Sequence, residues 1–270
     1  MVFAADSAST LIGTNPDGSS QVLNVYNHGN KVFNLHKSLP IVAMTCGMGH
    51  IGHASISTLA KDLRKKLTSG DGIKVDPENY TIAEVVGKAH DFFGSLYRTM
   101  EPPPPSPHHF EFWIGGIGSD GLRGEIWRIA ITNGAVLEPE LLSPQDQDDG
   151  LFWSGQPMAI DRLVLGYDSS IFDALADAGL TPDDADTFVS GLIARSRKAL
   201  VHAMMPIQDA ISLADFLVDV TKRYFSFLPG ADVVGGDTDI ATVTKHEGFR
   251  WIRRKHYYDP ALNPRETGHA

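Results

Sequence analysis

One cysteine stands among 270 residues, Cys46. A lone thiol excludes an internal disulfide framework and a thiolate zinc cluster, and with them the small secreted scaffolds. No apolar run approaches the ~18 residues of a membrane span. The opening residues carry no charged-then-apolar leader with a small-residue cleavage site. Together these absences set the expectation of a cytoplasmic protein without membrane contact. A basic surplus is missing as well: 23 Lys and Arg stand against 33 Asp and Glu, for a formal net charge of −10. Nucleic acid is therefore not expected as a partner, because neutralising phosphates needs a basic face. The one dense basic run, Arg250, Arg253, Arg254 and Lys255, is interrupted by Trp251 and Ile252 and reads as a solvated strand end.

Metal and cofactor signatures are equally thin. His50 and His53 stand three apart and His108-His109 follow a run of prolines, but neither has further ligands at metal spacing. Gly47-Met48-Gly49 lacks the third glycine and distal acid of a dinucleotide fingerprint. Ser154-Gly155 lacks the Gly-x-Ser-x-Gly elbow of a serine hydrolase. Cys46 closes an apolar strand and reads as a buried, inert thiol. No cofactor and no metal are expected.

What is present is an ordinary globular composition, 42% apolar and 21% charged, in a chain long enough to bury a core. Val2 to Ala5 reads as a short buried strand that Asp6 to Thr10 continue. Asn15-Pro16-Asp17-Gly18 is a turn, and strands follow at Val22 to Tyr26, Lys31 to Leu35 and Ile41 to Thr45. The glycines after Thr45 suggest a tight strand-to-helix corner, with the Gly47 amide facing a helix N-terminus. Ile56, Leu59, Ala60, Leu63 and Leu67 then recur at helical spacing, closed by Ser69-Gly70. Thr81-Ile82-Ala83-Glu84 is a capping box opening a second helix, whose apolar face runs from Ile82 to Leu96.

Successive prolines between Glu101 and His109 demand an extended segment. Strands are expected at Phe110 to Ile117, Gly124 to Ile131 and Leu151 to Trp153. Short and long helices follow at Met158 to Gly166, from Thr181-Pro182 to about Ala199, and at Ile207 to Tyr224. A hairpin of Ile240 to Val243 and Phe249 to Ile252 ends the pattern. Helix pairs segregated between antiparallel strand blocks imply an α+β fold with layers helix, sheet, sheet, helix. Residues 1–258 are expected to form one domain and 259–270 a frayed polar tail.

Asp6 and Lys31 form the sharpest chemical pair. A lysine alternating onto the interior face of a strand is costly unless it is paired. With the order of elements, these residues make the chain resemble the proteasome β-type family of N-terminal nucleophile hydrolases. Val2 to Thr10 resembles its apolar-Ala-Ala-Asp-x-x-x-Thr strand, Asn30-Lys31-Val32-Phe33 its lysine motif, and Thr45-Cys46-Gly47 its corner before the first helix. Gly115 to Asp120 with Ile126-Trp127 resembles its mid-chain hairpin, and Trp153-Ser154-Gly155 its Gly-Ser-Gly. Gly235-Gly236 through Gly248 resembles its terminal hairpin. The resemblance implies a four-layer αββα sandwich, with residues 167–202 as a helical insertion.

It also implies a threonine peptidase acting on unfolded polypeptide, inside a homo-oligomeric ring that an ATP-driven unfoldase could feed. Lys31 would lower the nucleophile's pKa, Asp6 would hold Lys31, and the Gly47 amide would stabilise the oxyanion. Ser154 and, with a shifted alignment, Asp232 would join the network around the nucleophile's amine; Val234 stands where the family has a serine. Ser9, Gly29, Thr45 and Gly49 would border the pocket for the residue before the cleaved bond. The N-terminal threonine and first strand should lie about ten residues before Met1. The expectation is a miscalled start, since retained Asp6 and Lys31 have little use without a nucleophile. Two alternatives stand beside it: a non-catalytic structural or binding subunit of the same fold, and an N-terminal nucleophile amidase acting on a small amide.

Overall fold

The computed structural model describes residues 1–15, 17–70, 72–104, 107–143 and 149–255; the tail expected at 259–270 lies outside them. The chain opens with β1 (Val2–Ala5), then a hairpin of β2 (Ser9–Thr14) and β3 (Ser20–Tyr26). Strands β4 (Val32–Asn34) and β5 (Ile41–Gly47) lead into the two-residue pair β6 (His50–Ile51) and β7 (Ala54–Ser55). Helices α1 (Ile56–Ser69) and α2 (Ile82–Arg98) follow, then strands β8 (His109–Ile117) and β9 (Gly124–Thr132) with short β10 (Ala135–Val136) and β11 (Glu140–Leu141). Four helices come next, α3 (Met158–Val164), α4 (Ser170–Asp177), α5 (Pro182–Ser196) and α6 (Ile207–Ser226). Strands β12 (Asp239–Thr244) and β13 (Gly248–Arg253) complete the described chain. The fold is mixed α and β, with antiparallel sheets and six helices among the described residues.

Two sheets carry the core. One has the order β10-β9-β8-β5-β4, with β11 also on β9, and the other β1-β12-β13. Strand period decides what each face does. On β8, Phe110, Phe112 and Ile114 turn toward the helices, and the Phe93 ring of α2 sits 5.3 and 4.6 Å from the first two rings. Leu63 and Leu67 of α1 and Val85 and Ala89 of α2 are fully buried in the same cluster. Each such Phe or Leu contributes roughly 1.5–3 kcal/mol of burial, which is why this layer dominates stability. Thr81 caps α2 as expected from the sequence, its Oγ1 accepting from Glu84 N at 3.1 Å; at α1 the structure adds a cap that was not expected, Ser55 Oγ accepting from Thr58 N at 3.1 Å.

The opposite face of the larger sheet meets the smaller one. Phe3, Val32, Val42, Ala241 and Val243 form that second cluster, flanked by Met44, Ile126 and Trp251. The approach is close enough that a Cβ on Gly115 would lie 2.2 Å from Phe3 Cζ, so any larger residue there would have to displace the Phe3 ring. Helix α6 packs against β1 and β12 on the far side of the smaller sheet. A buried ion pair, Lys255 with Asp239, pins the end of β13 to the start of β12, and Lys255 Nζ also donates to Ser7 Oγ at 2.7 Å.

The structure departs from the sequence expectations at identifiable places. The chain leaves the sheet at Asp6 rather than continuing as a strand to Thr10, because the Asp6 carboxylate caps its own turn at Ala8 N, 3.0 Å away. Ser7 N and O are used by Gly235 O and Gly29 N at 2.9 and 2.8 Å, which carries the chain out of line. Residues 151–153 are irregular, with Trp153 Nε1 donating to Asp161 Oδ1 at 2.7 Å. The corner after Gly47 is not tight: β6 and β7 intervene, and α1 begins only at Ile56, whose amide returns to Gly49 O at 3.0 Å. Helix α5 ends at Ser196, and its hydroxyl turns back to Leu192 O at 2.8 Å.

Candidate functional site

Asp6 stands where β1 ends and Lys31 just before β4 begins, so the facing of the two sheets brings them together. Lys31 Nζ donates to Asp6 Oδ1 at 2.5 Å, with side chains 23% and 14% exposed. The other carboxylate oxygen accepts from Ala8 N at 3.0 Å and Gly235 N at 3.1 Å. Three donors therefore fix the carboxylate, and the Lys31 ammonium is its one charged partner among the described residues. Lys31 O in turn accepts from Thr45 N at 3.0 Å, which places the lysine beside the end of β5.

Cys46, Gly47 and Ser154 gather at that end. Cys46 Sγ lies 3.4 Å from Ser154 Oγ and 3.5 Å from Glu111 Oε2. Burial pushes the Cys46 pKa up to about 12, and the Glu111 charge adds to the shift, while the Ser154 hydrogen bond and the nearby Lys31 charge oppose it. The thiol is thus protonated at neutral pH and is neither nucleophile nor thiolate ligand there. Gly47 is exposed at φ +85°, and a Cβ would lie 2.1 Å from His109 O, so glycine is required on both counts.

Glu111 is the residue that sequence inspection overlooked. It is 3% exposed on β8 and turns toward the sheet-sheet interface. Trp113 Nε1 donates to Oε2 at 2.8 Å, and His109 Nε2 and Arg128 Nη1 lie 3.1 and 3.4 Å from Oε1. Burial by itself would raise its pKa; hydrogen bonds from Ser154, Trp113 and His109 and the Arg128 charge outweigh that and hold it below the ordinary carboxylate range. A carboxylate made more acidic than usual therefore sits beside Cys46 and Ser154. The signal in the sequence was a single acid inside an otherwise apolar strand, His109 to Ile117.

The remaining expected residues divide. Ser9, Gly29 and Gly49 converge: a Cβ on Gly29 would meet Ser9 Cβ at 3.4 Å, and one on Gly49 would meet Ser9 Oγ at 3.8 Å. Thr45 Oγ1 is occupied as a donor to Glu111 O at 2.8 Å. Asp232 lies exposed in the loop before β12 and has no hydrogen-bond or ion-pair partner among the described residues. Val234 is buried, and it is the following amide, Gly235 N, that reaches Asp6.

Among the described residues no three His, Cys, Asp or Glu side chains are placed to hold a metal ion. No described helix is long and apolar enough to cross a membrane. No protein-family model matches the chain, and no curated protein does.

Proposed function

We propose that this chain is a proteasome-type threonine peptidase subunit whose nucleophile is carried on a strand preceding Val2. The observation that carries this reading is the Asp6–Lys31 ion pair, anchored by the Gly235 amide and set beside Cys46, Gly47 and Ser154. A four-layer αββα arrangement is supported by α1 and α2 on one sheet, the Phe3–Val42–Val243 cluster between sheets, and α6 on the other. Strand β1 is the outermost of its sheet among the described residues, which leaves its free edge open to a preceding strand.

In this mechanism a threonine hydroxyl attacks the peptide carbonyl and the same residue's α-amine accepts the proton; with a pKa near 8 the amine suits that task. The Lys31 ammonium stabilises the developing alkoxide, and Asp6 keeps that ammonium oriented. The exposed Gly47 amide is a candidate donor to the tetrahedral oxyanion, and Ser154 sits within the polar cluster that would order the amine. Ser9, Gly29 and Gly49 leave the adjacent pocket small and polar. Asp232 takes no part in this scheme; Glu111 is the acid that borders Ser154. The assembly is proposed to be a homo-oligomeric ring acting on unfolded polypeptide, which an ATP-driven unfoldase could serve.

The test compares the chain as given with the same chain extended upstream in frame, so that a threonine is exposed about ten residues before Met1. Fluorogenic peptides should be cleaved by the extended form alone, and Lys31→Ala should abolish that cleavage. Cleavage by the chain as given, or absence of a Thr, Ser or Cys ahead of a strand-like run in the upstream codons, overturns the proposal. A ring-sized species in gel filtration separates it from an amidase acting on a small amide.

A further inference from the structure

The basic run at the end of β13 has a use apart from the site above. Its members have different fates. Arg253 makes a bidentate pair with Asp215 at 2.7 and 2.8 Å, and Lys255 is buried against Asp239. Arg254 has no carboxylate partner among the described residues; it is exposed, and its guanidinium carbon lies 4.9 Å from the centre of the Trp251 ring. It borders a cleft of about 80 Å³ between α1, β4 and β13.

Helix α1 lines the other wall with Ser57, Lys61 and Arg64, at i, i+4 and i+7 on one stripe. Neither cation has an ion-pair partner among the described residues, although the chain as a whole carries a formal charge of −10. The floor is β4, the outermost strand of its sheet among the described residues, with Asn34 at its end and Asn30 just before it contributing amides. Asn34 Oδ1 accepts from His36 N at 3.1 Å, which leaves its NH₂ as the group with donor capacity. Asp239 also borders the cleft, but it is 2% exposed and its charge is met by Lys255. Three uncompensated cations and two amides therefore converge on a space several times the ~10–15 Å³ that one water needs by the same measure.

We propose that this cleft is an anion-binding site for a single phosphate or carboxylate group. Its donor set is cationic and amide-rich with no free acceptor of matching charge, the chemistry that recognises an oxyanion. The cavity takes one such group and little more, so the rest of the ligand lies outside the cleft. The shared oxyanion has two sources, a small phosphorylated molecule or the free carboxylate end of a polypeptide laid along the open edge of β4.

Calorimetric titration of the intact chain with inorganic phosphate at low salt tests this. Saturable binding is expected, weakened about tenfold or more by Arg254→Leu and by Lys61→Met with Arg64→Met, each removing charge-assisted contacts. Arg250→Met, in the same segment but outside the cleft, should bind as the unaltered chain does. If the variants bind phosphate equally well, or phosphate does not bind, the proposal fails. A measurement on the unaltered chain guards against misfolded variants: phosphate should move the side-chain amide NMR signals of Asn30 and Asn34, and unmoved signals overturn the site. Displacement of phosphate by an acetylated peptide with a free C-terminal carboxylate, but not by its amidated twin, supports a polypeptide source. Failure of both peptides to displace bound phosphate supports the small molecule.

Discussion

Replacing Asp6 with alanine should cost about 3 kcal/mol, and the structure says why. The carboxylate accepts from Lys31 Nζ at 2.5 Å, Ala8 N at 3.0 Å and Gly235 N at 3.1 Å. Hydrogen bonds to a charged group are each worth about 1.5–3 kcal/mol when buried, and their partners are left unsatisfied when it is removed. Side-chain exposure of 14% and 23% lets water replace part of that loss, which brings the sum down. In a chain of this size the cost lowers Tm by about 6–8 °C. Lys31→Met should cost less, about 1–2 kcal/mol, because Asp6 keeps both amides and still borders solvent. Urea denaturation of the two single variants and the double variant closes a cycle, with a coupling of about 1–2 kcal/mol expected. High salt should reduce that coupling only partly, since the pair is largely shielded. A coupling below ~0.3 kcal/mol, or an Asp6→Ala cost within the range of ordinary surface changes, would refute the view that this pair is held by design.

Two further outcomes follow from single positions. Cys46, with its pKa pushed up to about 12, should react with thiol reagents at pH 8 about a thousand-fold slower than an exposed cysteine. Because the folded pKa exceeds the unfolded value, the Cys46 contribution to stability is complete below about pH 9 and lost as pH rises toward 12, and Cys46→Ala should remove that slope in urea titrations. Gly47→Ala meets His109 O at 2.1 Å at a positive φ, whereas Gly52→Ala at φ +59° meets nothing within 4 Å. The second should cost about 1 kcal/mol and the first at least ~2 more, read as a difference in Tm; equal costs would mean that the backbone around Gly47 yields freely.

Much of the architecture was legible because it rests on local period and local chemistry. The apolar stripes of α1 and α2, the Thr81 cap, the Thr181-Pro182 start of α5 and the terminal hairpin all repeat signals that near neighbours in the chain satisfy. A lysine inside an apolar alternation likewise announced that Lys31 needs a partner, and Asp6 was the acid at hand. Residues whose role depends on distant partners were not legible in this way. Nothing local says that Asp6 is met by Gly235 N, or that the chain must leave the sheet there. Nothing local makes Glu111 the hub joining Trp113, Arg128, Cys46 and Ser154, or leaves Asp232 in solvent. The four cations of the run Arg250 to Lys255 look alike in sequence; only the positions of Asp215, Asp239 and Trp251 leave Arg253 and Lys255 neutralised and Arg254 facing a cleft, with Arg250 outside both groups. Periodicity and capping are settled within a few residues of chain, so sequence determines them. Charge compensation and burial are settled between elements dozens of residues apart, so the tertiary structure alone decides them.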